Sequence, residues 1–120
     1  MPKIMIVDDD IQATTLLEKI LSVEGYDSVS VNISANAVQI AKSTNPDLFL
    51  IDLMMPDPDG FQLCKILRAD PSFSKTPIII ITAMDDNDSR TVAYAAGAND
   101  FLTKPFHIDE LAVRIKALIF

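Results

Sequence analysis

Three aspartates, Asp8, Asp9 and Asp10, stand in a row directly after an apolar run in IMIVDDDIQA. Neighbouring like charges repel, and an unpaired carboxylate at the edge of a core is costly. Asp10 has a simple use as the cap of the helix that follows, since aspartate is among the preferred N-cap residues. Three more polar residues stand in the same relation to later apolar runs: Asp52 after LFLI, Thr82 after PIIII and Lys104 after DFLT. The pattern is an acid pair, an acid 43 residues beyond Asp9, a threonine 30 further on and a lysine 22 beyond that. Taken singly, each has a plainer reading as a cap, a turn residue or a loop hydroxyl. Brought together, three carboxylates would raise one another's pKa unless a cation neutralised them. A hard divalent ion with oxygen ligands, such as Mg²⁺, meets that need.

The elements that would gather these residues alternate along the chain. The runs KIMIV (3–7), LFLI (48–51) and PIIII (77–81) are short and apolar, the first rich in Ile and Val, whereas DSVSV (27–31) alternates and DFLT (100–103) is brief. Between them lie segments of helical period. In QATTLLEKILSVEGY, Leu16, Leu17, Ile20, Leu21 and Val23 recur at that spacing and Gly25 stops the run. Ser34 is placed to cap a helix over 35–43 that ends at Asn45-Pro46. Further helices are expected over 60–69, over 87–96 with Gly97 as its terminator, and over 108–118 with Asp109 and Glu110 in its first turn.

Five strand–helix pairs result. Strands apolar on both faces imply a parallel sheet covered by helices, and right-handed crossovers then give an open, doubly wound α/β fold. The expected architecture is a five-stranded parallel sheet in the flavodoxin-like order 2-1-3-4-5 with helices on both faces. In such sheets a ligand sits at the carboxyl ends of the strands, where the order reverses between the first and third. All the polar residues above fall on that edge.

Composition narrows the function further. At 120 residues and 49% apolar, the chain reads as one domain, 1–120, with enough apolar surface for a core. Its net charge of −7 argues against direct nucleic-acid binding, which needs a basic face. The lone Cys64 leaves no internal disulfide or multi-cysteine zinc site and reads as a buried thiol in a reducing compartment. No apolar run is long enough to span a membrane, and MPKIMIV is too short for a signal peptide, so the expected location is cytoplasmic.

The motifs IMIVDDD, DLFLIDLMMPDPDG, PIIIITA and GANDFLTKPF together resemble the receiver domain of bacterial response regulators, the phosphoacceptor half of two-component signalling. The resemblance covers essentially the whole chain. It implies that Asp52 accepts a phosphoryl group from a histidine kinase or phosphotransfer protein, and that Asp8, Asp9, Asp52 and the backbone carbonyl of Met54 hold Mg²⁺. Lys104 would neutralise phosphoryl charge and Thr82 would hydrogen-bond a phosphoryl oxygen. Phe101 matches the family's switch aromatic, which turns inward as the threonine moves, and Lys104-Pro105 matches a peptide that is typically cis in the family. Met54 and Met84 match the positions bordering the path of attacking water, and two apolar side chains there imply a slowly hydrolysing phosphate. The segment from Arg90 to Arg114 resembles receivers that form homodimers through the fourth helix, fifth strand and fifth helix, with Arg90 meeting Glu110 and Arg114 meeting Asp100 of a second chain.

Other readings fit the residues less well. A haloacid-dehalogenase-type phosphatase uses D-x-D-x-T, which Asp8 and Asp10 begin but Gln12 breaks. A calcium-binding EF-hand loop around DPDG would need acids where Met55 and Ile66 stand. Gly25, Gly60 and Gly97 form no phosphate-cradling cluster. A receiver that serves only for docking, without accepting phosphate, remains the other reading within the family, and motifs alone do not separate the two.

Overall fold

The computed structural model describes residues 1–119. Five strands are β1 (Lys3–Val7), β2 (Asp27–Val31), β3 (Leu48–Ile51), β4 (Ile78–Thr82) and β5 (Asp100–Thr103). The helices are α1 (Ile11–Val23), α2 (Ala37–Thr44), α3 (Gly60–Ala69), α4 (Asn87–Ala96) and α5 (Ile108–Ile119). The sheet has the expected order β2-β1-β3-β4-β5, and every pairing is parallel.

Alternate strand residues face opposite layers, as the two-residue period of a strand requires. Ile4, Ile6, Leu50 and Ile81 pack with Leu17 and Leu21 of α1 and Leu111 and Ile115 of α5. Met5, Val7, Phe49 and Ile80 pack on the other side with α2, α3 and α4. Burial of each such side chain contributes about 1.5–3 kcal/mol, which is why these apolar runs settle as central strands. Cys64 lies fully buried in the second layer, as expected.

Most helix ends follow the local chemistry. Asp10 caps α1 by accepting from the Gln12 amide at 2.9 Å. Asp59 and Gln62 form a reciprocal capping box on α3. Gly97 ends α4 at φ 116°, a conformation in which a side chain is strained.

Three details differ from expectation. Ser34 caps nothing; it opens a 3-10 turn over Ser34–Asn36, and its hydroxyl lies against the Pro56 and Pro58 carbonyls. The helix beyond therefore starts later, at Ala37. Leu16 and Val23 belong to the helical repeat but are exposed, because the apolar arc of α1 is wider than the strip of sheet it covers. Pro77 precedes β4 rather than joining it, though its carbonyl still accepts from the Phe49 amide.

Candidate functional site

Strand register aligns the candidate residues. Val7 lies beside Ile51, so Asp8 and Asp52 follow side by side, and the Asp52 amide donates to the Val7 carbonyl at 3.0 Å. Thr82 pairs with Thr103, and the next amide, that of Lys104, donates to the Thr82 carbonyl at 2.8 Å. Four strands thus deliver an acid, an acid, a hydroxyl and an amine to one edge of the sheet.

The amine bridges the two acids. Lys104 Nζ donates to Asp8 Oδ2 at 2.8 Å and to Asp52 Oδ2 at 3.1 Å. The remaining oxygens are also engaged: Asp8 Oδ1 accepts from the Asp10 amide and Asp52 Oδ1 from the Met54 amide, both at 3.0 Å. Burial pushes the Asp8 carboxyl up, and the charge on Asp52 adds to this, while the hydrogen bonds and charge of Lys104 offset only part. For Lys104 burial acts downward, but the hydrogen bond to Asp8 and the charges of both acids outweigh it and hold the ammonium above its usual range.

The other residues stand around this trio. Asp9 is exposed at the rim and is not gathered with Asp8 and Asp52. Among the described residues no three Asp, Glu, His or Cys side chains are assembled around a common metal position. The expected convergence of three carboxylates is therefore two carboxylates around an ammonium, with the third acid beside them. Thr82 is fully buried, and its hydroxyl accepts from the Met84 amide at 3.4 Å. Met54 is exposed and Met84 is half-buried.

The site carries hard oxygen donors, and the ammonium of Lys104 already marks a cation position between Asp8 and Asp52. That donor chemistry suits Mg²⁺.

Phe101 is buried, with the Arg90 guanidinium 4.7 Å above the centre of its ring. Arg90 also donates to Thr103 Oγ1 at 3.0 Å, so the aromatic already lies inward beneath a cationic cover. Arg114 Nε lies 3.4 Å from Asp100 Oδ2 of the same chain, and Glu110 accepts from the His107 amide at 3.0 Å. The charges expected to meet a second chain are thus occupied within this one. Lys104-Pro105 is cis, as the resemblance implied, and so is Asp57-Pro58, which it did not.

Sequence reasoning passed over two contributors. A Cβ on Gly60 would lie 2.3 Å from the Asp52 carbonyl oxygen, so only glycine lets α3 begin against the Asp52 loop. The Asn32 side chain donates to the Asp8 carbonyl at 2.9 Å. Glycine directly after an aspartate cap was a visible signal for the first; no local pattern marks the second.

The model of the response regulator receiver domain family matches residues 4–116, and the chain belongs to that family. It is 35% identical over 119 residues, 99% of its length, to the DNA-binding dual master transcriptional regulator RpaA of Synechocystis, of which it covers 49%. The chain spans about half the length of the curated relatives it matches. Among solved structures, a putative response regulator from Chloroflexus aurantiacus superposes with a TM-score of 0.94 at 35% identity, covering 99% of this chain and 98% of that one. The BeF3-activated N-terminal receiver domain of Klebsiella pneumoniae RstA gives 0.92 at 29% identity, over 98% and 97%. No described helix is long and apolar enough to cross a membrane.

Proposed function

We propose that this chain is a phosphoacceptor domain, 1–120, that takes a phosphoryl group onto Asp52 from a phosphohistidine of a histidine kinase or phosphotransfer protein. The observation that carries the reading is the shared ammonium: Lys104 holds Asp52 at 3.1 Å and Asp8 at 2.8 Å on the edge where the strand order reverses. A carboxylate oxygen of Asp52 attacks phosphorus, the bond from phosphorus to the donor nitrogen breaks, and the imidazole leaves with the electron pair. An acyl phosphate remains on Asp52. Lys104 neutralises charge on the transferring oxygens, and the Thr82 hydroxyl turns to donate to one of them. Asp8, Asp9, Asp52 and the Met54 carbonyl would hold Mg²⁺, whose contribution there is further neutralisation of phosphoryl charge. The domain is a signalling acceptor rather than an enzyme acting on a separate substrate.

The output is a changed surface. Movement of Thr82 toward the phosphoryl group acts on Phe101 and on the Arg90 that covers it, both on the face formed by α4, β5 and α5. That face is the proposed homodimer contact on phosphorylation. An apolar groove of about 260 Å³, lined by Leu16, Leu17, Pro105 and Phe106 and reaching Lys104, suits the phosphodonor protein. RpaA is named as DNA-binding and is about twice as long. The acidic balance of this chain assigns no nucleic-acid contact to the receiver itself and fits a cytoplasmic location.

The test is incubation with a small phosphodonor and Mg²⁺ followed by intact-mass measurement. The wild-type chain gains one phosphoryl group, and Asp52→Asn gains none. A wild-type chain that stays unmodified supports the docking-only reading instead.

A further inference from the structure

The segment joining β2 to α2 supplies none of the proposed cation ligands, yet it grips both loops that do. The Asn32 amide donates to the Asp8 carbonyl at 2.9 Å and to Thr14 Oγ1 at 3.1 Å. Thr14 is buried in the first turn of α1 and donates in turn to the Ile11 carbonyl at 3.0 Å. One side chain therefore ties the end of β1 to the start of α1, with one bond on either side of Asp9. Two residues on, the Ser34 hydroxyl lies 2.9 Å from the Pro56 carbonyl and 2.7 Å from the Pro58 carbonyl. Those carbonyls belong to the loop that follows Asp52 and Met54.

These contacts matter because of how differently the four cation ligands are held. The carboxylates of Asp8 and Asp52 are fixed by Lys104 and by backbone amides. Asp9 is exposed, and among the described residues its carboxylate has no hydrogen bond. Met54 would contribute a main-chain carbonyl, which can go only where its loop goes. For Met54 the backbone alone sets the position of the ligand atom, and for Asp9 it fixes the Cα from which the unheld carboxylate reaches.

We infer that Asn32 and Ser34 are positioning residues for divalent-cation binding. Asn32 fixes the corner that carries Asp9, and Ser34 fixes the loop that carries the Met54 carbonyl. The inference rests on the cation reading above and concerns residues outside that ligand set. Outer partners that orient metal ligands typically contribute 10–100-fold in affinity, roughly the size of effect expected here.

Calorimetric titration of the unphosphorylated chain with Mg²⁺, paired with urea unfolding, tests it. Asn32→Leu keeps the shape and removes both donors; Ser34→Ala removes the hydroxyl. Each weakens Mg²⁺ binding by about tenfold or more. A purely structural role would lower the urea midpoint and leave the affinity of the folded protein unchanged, and that result overturns the inference. If Asn32→Leu does not fold, Thr14→Val removes one of the two anchors and weakens binding in the same direction; unchanged affinity there also overturns it. Asp9→Ala separates the two levels. If it weakens binding while Asn32→Leu and Ser34→Ala do not, only the positioning inference falls. If Asp9→Ala leaves binding unchanged, the ligand set is wrong and the positioning of Asp9 falls with it.

Discussion

Lys104 donates to Asp8 at 2.8 Å across 96 residues of sequence, joining two strands, β5 and β1, that are not neighbours in the sheet. The bond closes the site over β3 and β4 and places a cation where two carboxylates would otherwise repel. It does so at a cost, since Asp8 is almost fully buried and its charged form is disfavoured there.

The cost is measurable as a dependence on pH. With its folded pKa raised above the ordinary 3.8, Asp8 holds its proton more tightly in the folded chain than in the unfolded one. Its stabilising contribution is full below the ordinary value and is lost as pH rises through the folded value. Asp8→Asn removes that loss. In metal-free buffer the variant melts above the parent at neutral pH, and the gap closes as pH falls below the range in which Asp8 titrates. Scanning calorimetry across pH checks this; a variant that melts lower at neutral pH contradicts it.

Cys64 reports on the opposite face of the sheet. Burial pushes its thiol up to about 12 from 9.0; nearby Arg68 opposes this and Asp59 adds to it. The raised value makes its contribution full below about pH 9, lost as pH rises toward 12. Cys64→Ala therefore flattens part of the alkaline fall in stability. Cys64→Ser places a hydroxyl in an apolar layer and costs about 1–3 kcal/mol. In the folded wild type the thiol resists alkylation until the core opens, so fast labelling under native conditions would refute the burial argument.

Much of this was legible in the sequence because the signals were local and mutually consistent. Short apolar runs without alternation, bounded by turn and cap signals, read as central strands, and Asp10 and Gly97 mark helix ends by chemistry that acts within a few residues. The meeting of Asp8, Asp52 and Lys104 was legible too, since parallel register aligns strand ends. Ser34 misled because a serine before an apolar helix carries the cap signal, while its actual partners lie 22 and 24 residues away. Asn32 gave no sign at all, for its bonds depend on β2 lying beside β1.

Phosphate lifetime follows from two apolar side chains. By the family resemblance Met54 and Met84 border the path of water to the proposed acceptor, and neither side chain can orient water. The expected outcome is a long-lived wild-type acyl phosphate, shortened in Met54→Asn with Met84→Glu by roughly tenfold or more if one positioned water is gained. The decay of phosphoprotein mass after removal of the donor measures this. An equal or slower decay in the double variant would count against the argument.

Association should depend on activation. Arg114 and Asp100 pair at 3.4 Å within the chain, so pairing across a two-fold axis must exchange one partner for another. Exposed pairs contribute only about 0–1 kcal/mol each, too little to hold an unphosphorylated dimer. Sedimentation should show a monomer at micromolar concentration that dimerises with a beryllofluoride phosphoryl mimic, and Arg114→Glu should abolish the dimer. An activated chain that stays monomeric, or a dimer indifferent to Arg114→Glu, removes α4-β5-α5 as the interface.

The central claim is that the acceptor is Asp52 rather than either neighbouring acid. Borohydride reduces an aspartyl phosphate at the acyl carbon, and peptide mass spectrometry then locates the altered residue. After treatment with phosphodonor and Mg²⁺, the account predicts reduction at Asp52 alone, and no reduced peptide from Asp52→Asn. Reduction at Asp8 or Asp9 in the wild-type chain would contradict it.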